Sequence, residues 1–390
     1  MADASAPLPL SSASLGAAKP RAAARESDFN SAAHGLRGIA SMMVFWGHLL
    51  GGTAEHVYAG DPVYVAGIQR PWHFGTFGVE LFFVISGFVI LPSVLRYSPR
   101  EFALRRILRI YPLFFVFTLL FVLLNAATNL YPNLNTLKAV VAGFLFVNLF
   151  SGTEQLTPNA WSLSFEILFY TLACLTAFFI LRKPSRLGTG AMILLSLVFL
   201  CAFPISGFFL FGVAVRMLHS RGLVLPPRIA RPLELIAALL CIRYASIAWF
   251  AYTPADMADP LVWKIMASTA CFFYLAVSPG SLTSWLLGRP GILYLGTVSY
   301  SLYLVHPYTY YACRELFRHF GWFVDSWWLA MPVFFLVVTP ITLFVTHFVH
   351  RWIEMKPYQW YFHQRIYRAP DALDKPLRTA AAHEERHLAT

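Results

Sequence analysis

The chain is 390 residues long, 58% hydrophobic, 16% aromatic and only 13% charged, and its 35 Phe outnumber its 30 Lys and Arg taken together. An ordinary soluble domain is about one-quarter charged, so this chain cannot cover a globular surface with ionised side chains and belongs in a membrane. The formal charge of +11 then reflects Lys and Arg retained in cytoplasmic loops; no nucleic acid is expected as a partner.

Residues 1–30 are rich in Ala, Ser and Pro and carry Lys19, Arg21 and Arg25 without a run long enough for a signal peptide, which reads as a disordered cytoplasmic tail. Apolar runs follow at roughly 36–54, 76–95, 108–128, 160–181, 189–203, 204–219, 232–251, 262–279, 292–312 and 328–350. A helix needs about 20 residues to cross the hydrocarbon core, and the alternating ten-residue segments of a barrel are missing. The expected fold is therefore all-α, a polytopic membrane protein of about ten transmembrane helices. A further apolar stretch at 138–150 is short. If it crossed, Arg182, Lys183 and Arg186 would fall outside, so it is expected to be re-entrant, with the loop holding Asp256 and Asp259 outside and both termini cytoplasmic. The membrane domain is expected to span 31–357, followed by a polar cytoplasmic tail at 358–390. Cysteines 174, 201, 241, 271 and 313 are odd in number, lack a C-x-x-C pair and indicate neither a disulfide framework nor a metal site.

The first run holds Arg37 and His48. Eleven residues apart, they lie about 20° apart around a helix and ~16 Å apart along it, which places an arginine at the cytoplasmic mouth and an imidazole near mid-membrane. Ionisable groups at that depth line a cavity or act, although Arg37 as an interfacial anchor and His48 on a neighbouring carbonyl remain the structural alternative. In the second run Glu80 needs a partner, for which His48 is a candidate, while Ser86 and Gly87 fit close helix packing. Arg105, Arg106 and Arg109 open the third run. Their guanidinium groups suit the phosphate oxygens of a nucleotide cofactor, or equally anionic lipid. Trp161, Ser162, Ser164 and Glu166 enter the fourth run; an aromatic belt explains Trp161 but not a carboxylate among apolar residues. His306, before Pro307 in the ninth run, is either a second active imidazole or part of a kink, and Glu354 marks the inner edge of the tenth.

In this order, the R-x10-H of Arg37 and His48, GVELFFVISGF, the arginine cluster through Pro112, WSLSFE, FFLFGVAVR from Phe208, SYSLYLVHP and IEMKP resemble the acyltransferase 3 family of integral-membrane O-acyltransferases over about residues 34–357. The resemblance implies transfer of an acyl group, often acetyl, from cytoplasmic acyl-CoA to a hydroxyl of a carbohydrate or glycolipid acceptor at the bacterial inner membrane. Acyl-CoA is then a co-substrate, and no permanently bound cofactor or metal is expected. It maps the family's key histidine and arginine onto His48 and Arg37, its arginine cluster onto Arg105, Arg106 and Arg109, and its WSLS-x-E glutamate onto Glu166. Many members have Asp in place of Glu80. Some carry an SGNH hydrolase-like domain, which the stretch after 357 is too short to hold.

The residues reach part of this chemistry independently. Transfer to a hydroxyl needs a base near neutral pKa, for which His48 is the candidate, with Glu80 or Glu166 orienting its ring. Arg37 and the arginine cluster are expected to hold acyl-CoA, and Trp161, Ser162, Ser164 and His306 to contact the acceptor. An acyl-histidine intermediate is the variant mechanism. The alternatives are a proton-coupled secondary transporter using the same His, Glu and Arg set, an MBOAT-type enzyme, and a non-catalytic sensor or scaffold.

Overall fold

The computed structural model describes residues 29–157 and 159–368; the tails expected at either end lie largely outside these described residues. Within the unit from Ser31 onward the described chain is helical, with no strand. Its α-helices are α1 (Ser31–His56), α2 (Pro62–Thr76), α3 (Gly78–Arg96), α4 (Pro99–Thr128), α5 (Leu137–Phe144), α6 (Asn148–Ser151), α7 (Trp161–Ala177), α8 (Arg186–Ala202), α9 (Gly207–Ser220), α10 (Pro227–Ala245), α11 (Pro260–Ala276), α12 (Leu282–Leu287), α13 (Pro290–His319), α14 (Trp327–Val349) and α15 (Met355–Arg368). Their starts are written locally. Asp61 accepts from the backbone N–H of Val63 and Tyr64 at 2.9 and 3.0 Å with Pro62 in the first turn of α2, and Ser98, Thr136, Asp259 and Ser281 cap α4, α5, α11 and α12 in the same way.

Each apolar run lies on a helix, namely α1, α3, α4, α7, α8, α9, α10, α11, α13 and α14. By length and composition alone, four continuous helical stretches suffice to cross a membrane: 62–96, 99–128, 161–182 and 327–362. α8 with 204–220 makes a fifth that is bent by 118°. α1 and α13, at 26 and 30 residues, are long enough but carry the polar residues of the site. The segment around 138–150 is broken. α5 has eight residues, a rise of about 12 Å, and ends before Phe146, whose φ is +57°. The boundary expected near 357 falls within a continuous helix, because α14 passes through a π turn (His350–Glu354) directly into α15.

Glycines set the closest crossings. A Cβ on Gly38 would lie 2.6 Å from the Gly296 nitrogen, so α1 and α13 meet backbone to backbone. The same two helices touch further along at His48 and His306, and then at Gly52 and Tyr310, so they run parallel. α3 and α7 are also parallel, touching in turn through Phe83 and Trp161, Ser86 and Glu166, and Tyr97 and Arg182. On α9, a Cβ at Gly212 would collide with the Val84 carbonyl of α3.

Gly212→Ala is therefore expected to force α9 off α3 and cost about 1–3 kcal/mol, read as a lowered unfolding temperature of the detergent-solubilised protein by tryptophan fluorescence. Gly190→Ala in α8, where a Cβ meets nothing within 4 Å, is the matched control and should unfold at or above the wild-type temperature.

Candidate active site

The parallel contact of α1 and α13 brings two imidazoles together. His48 Nδ1 lies 2.9 Å from the Val44 carbonyl and 3.3 Å from His306 Nε2, while His306 Nδ1 lies 3.0 Å from the Leu302 carbonyl. A carbonyl only accepts, so each Nδ1 carries the proton and each Nε2 the lone pair. The His306 lone pair then receives the shared His48 Nδ1–H, and the His48 lone pair on Nε2 has no partner within the pair. The rings are 5.0 Å apart between centroids. His306 is fully buried, whereas His48 is half-buried and borders a chamber of about 1210 Å³. His306 thus lies behind His48 and does not itself border the chamber. Tyr303, one turn before it, does line the chamber.

The chamber opens beside Glu55, His56, Tyr131, Trp249 and Arg318, at the ends of α1, α4 and α13 remote from Arg37. Trp161 is in its wall. Ser162, buried, is 2.7 Å from the Tyr303 hydroxyl, which in turn donates to the Asn159 carbonyl. Ser164 does not face the chamber residues: it donates to Asn148 Oδ1 at 2.7 Å and accepts from Gln155 Nε2 at 3.3 Å, and what it holds is the 137–155 segment.

Neither carboxylate is beside His48. Glu80 borders the chamber, but its partner is the hydroxyl of Tyr252. Glu166 accepts from Ser86 Oγ at 2.7 Å and from the Tyr170 hydroxyl, and its charge faces Arg37. The partners of the His48 ring in this geometry are His306 and the Val44 carbonyl, and not Glu80 or Glu166. Arg37, half-buried, has Arg109, Glu166 and Glu354 as its charged neighbours, so two carboxylates offset two guanidinium groups. Glu354 also accepts from Ser301 Oγ at 2.6 Å and pairs with His350 at 2.8 Å.

The three arginines of α4 part company. Arg106 lies over the rings of Tyr170 and Phe102 and reaches Ser93 Oγ at 3.4 Å, and Arg109 faces Arg37. Arg105 is held by Glu101 at 2.7 Å and the Tyr358 hydroxyl at 3.1 Å, with its guanidinium 4.2 Å from the Tyr97 ring and 4.4 Å from that of Phe362. It clamps α15 to α4.

A half-buried arginine and a chambered histidine thus lie about 16 Å apart along one helix. A model of the acyltransferase 3 family, described as an acyltransferase domain, matches residues 30–347. The chain belongs to this family and is an acyltransferase. The exopolysaccharide production protein ExoZ of Rhizobium meliloti strain 1021 is 28% identical to it over 256 residues, which cover 60% of this chain and 76% of that protein. No solved structure matches the chain. Membership decides for an enzyme over the transporter and the scaffold.

Several residues of the acyltransferase site carried little sequence signal. Tyr170 is four residues after Glu166 and Tyr303 three before His306, so helical spacing puts each beside a singled-out residue. Trp249 and Tyr252 come from a loop with no such spacing to a singled-out residue.

Arg105→Ala should release α15 while α4 stays folded. Hydrogen–deuterium exchange of peptides covering Met355–Phe362 is expected to rise by about tenfold or more, the equivalent of ~1.4 kcal/mol of lost local protection, with peptides from α13 unchanged.

Proposed function

We propose that this acyltransferase moves an acyl group, acetyl in the first instance, from cytoplasmic acyl-CoA to a hydroxyl of a carbohydrate of the cell envelope or an exported polysaccharide. The observation that carries the reading is the lone pair of His48 Nε2 at the edge of the chamber, which has no partner among the described residues, with Nδ1 tied by Val44 and His306. The acceptor hydroxyl gives its proton to Nε2 as its oxygen attacks the thioester carbonyl. The tetrahedral intermediate expels the CoA thiolate, and the imidazolium returns the proton to that sulfur. His306 holds the ring in the required tautomer and shares the positive charge while it lasts. Arg37, Arg106 and Arg109 take the CoA phosphates, and the pantetheine arm covers the ~16 Å from Arg37 to His48. Arg105 acts through α15 beside them.

A polysaccharide acceptor is supported by the likeness to a protein named for exopolysaccharide production, and by the aromatic residues around the chamber. The membrane reading continues in the same terms: a bacterial inner-membrane protein with ten crossings, both termini cytoplasmic and 137–151 dipping in and returning. Parity supports this. If 137–151 crossed, α7 would run opposite to α3 and α13 opposite to α1, whereas both pairs are parallel. The Arg37 end then faces the cytoplasm, where acyl-CoA is.

His48→Ala should lower transfer by about 10²–10⁴-fold with the protein still inserted, read by mass spectrometry of envelope and exported glycans from a deletion strain and its complemented counterpart. Near-normal product would remove histidine base catalysis. Arg37→Lys keeps the charge but loses the planar fork, so the KM for acyl-CoA should rise by about tenfold. An unchanged KM would leave Arg37 as an anchor.

A further inference from the structure

Glu80 is buried in the wall of the chamber, and its neighbour there is the hydroxyl of Tyr252. Tyr252 belongs to the loop between α10 and α11, and its own placement is unusual. It is 2% exposed, its ring meets Phe208 edge-on at 5.3 Å, and its φ is +55°. A left-handed backbone costs a bulky residue and persists only where the surroundings hold it. Glycine takes that conformation without strain, so a tyrosine there needs its ring and its hydroxyl to compensate, and both are engaged. The consequence is local: the three residues before it, Trp249, Phe250 and Ala251, border the same chamber as His48, while Thr253 turns back through its N–H to Asp256 at 2.8 Å.

We propose that Glu80 and Tyr252 are a positioning pair that holds the 249–251 strip as the acceptor-selecting wall, and that this wall reads a pyranose ring of a glycan entering from the end remote from Arg37. This rests on the carbohydrate reading above. The indole of Trp249 is 52% exposed, and its flat apolar face suits the C–H face of a sugar ring. The sugar's hydroxyls need polar partners, and Glu55, Arg314 and Arg318 border the same chamber. Glu80 thereby acts on acceptor affinity through Tyr252 and takes no proton in the transfer.

The test uses full-length protein in lipid nanodiscs, labelled acetyl-CoA, and as acceptor the exported polysaccharide of a strain lacking the gene, stripped of esters with mild alkali. Trp249→Ala is expected to raise the half-saturating polysaccharide concentration by about tenfold without moving the KM for acetyl-CoA. Tyr252→Phe and Glu80→Ala should raise it several-fold, with the rate at saturating acceptor within about threefold of wild type. Glu80→Gln, whose amide oxygen still accepts from the Tyr252 hydroxyl, should restore most of the affinity. Size-exclusion profiles and the KM for acetyl-CoA identify any variant that has merely failed to fold. An unchanged polysaccharide requirement in Trp249→Ala makes that residue an interfacial aromatic and overturns the proposal. So does a saturating rate in Glu80→Gln as low as that of His48→Ala, which would put the carboxylate at the imidazole. If the wild-type protein transfers nothing to the polysaccharide while acylating a non-carbohydrate alcohol, the carbohydrate reading falls and takes this inference with it.

Discussion

The contact between His48 and His306 depends on how closely α1 and α13 approach. At Gly38 and Gly296 there is no room for a methyl group, and ten residues further along each helix the imidazoles are within hydrogen-bonding reach. With a larger residue at that crossing the helices would separate, His48 would lose its second partner and its ring would be free to rotate. This spacing fixes the tautomer, since an imidazole that donates from Nδ1 keeps its lone pair on Nε2. A neutral histidine in the orienting position differs from a carboxylate in one respect: it brings no buried negative charge into the membrane interior, where an unpaired ion is costly.

A cluster of charged groups lies at the other end of α1. Arg109, Glu166 and Glu354 are the charged neighbours of Arg37, while Ser86 and Tyr170 donate to one oxygen of Glu166 and Ser301 to one oxygen of Glu354. Opposite charges in such a cluster offset part of the cost of placing each of them among apolar residues. The arginine end and the chambered histidine are thus separated along one helix, and the chamber is bordered by His48 and not by Arg37.

Much of the fold was legible because membrane burial is written in composition. The apolar runs land on helices, and the short 138–150 stretch breaks into two helices too brief to cross. Helical spacing also placed Arg37 and His48 on one face of α1. What was not legible were the partners. Glu80 was matched with His48 because adjacent antiparallel helices bring them to similar depth, but facing across a helix pair depends on rotation about each axis, and Tyr252 reaches Glu80 from a loop 172 positions away with no periodic pattern. The α4 arginines look equivalent in sequence. Arg105 differs only because α15 places Tyr358 and Phe362 against it.

By itself the sequence determined that this is an all-helical chain for a membrane, which residues carry charge into apolar surroundings, and the family to which their order belongs. Those properties follow from local composition and from periodicity along single helices. Only the tertiary structure decided which histidine orients His48, which carboxylate serves Arg37, which arginine is a clamp, and which loop borders the chamber. Each of these is a contact between residues far apart in the chain, set by where glycines let helices close and where a strained turn sends a side chain inward.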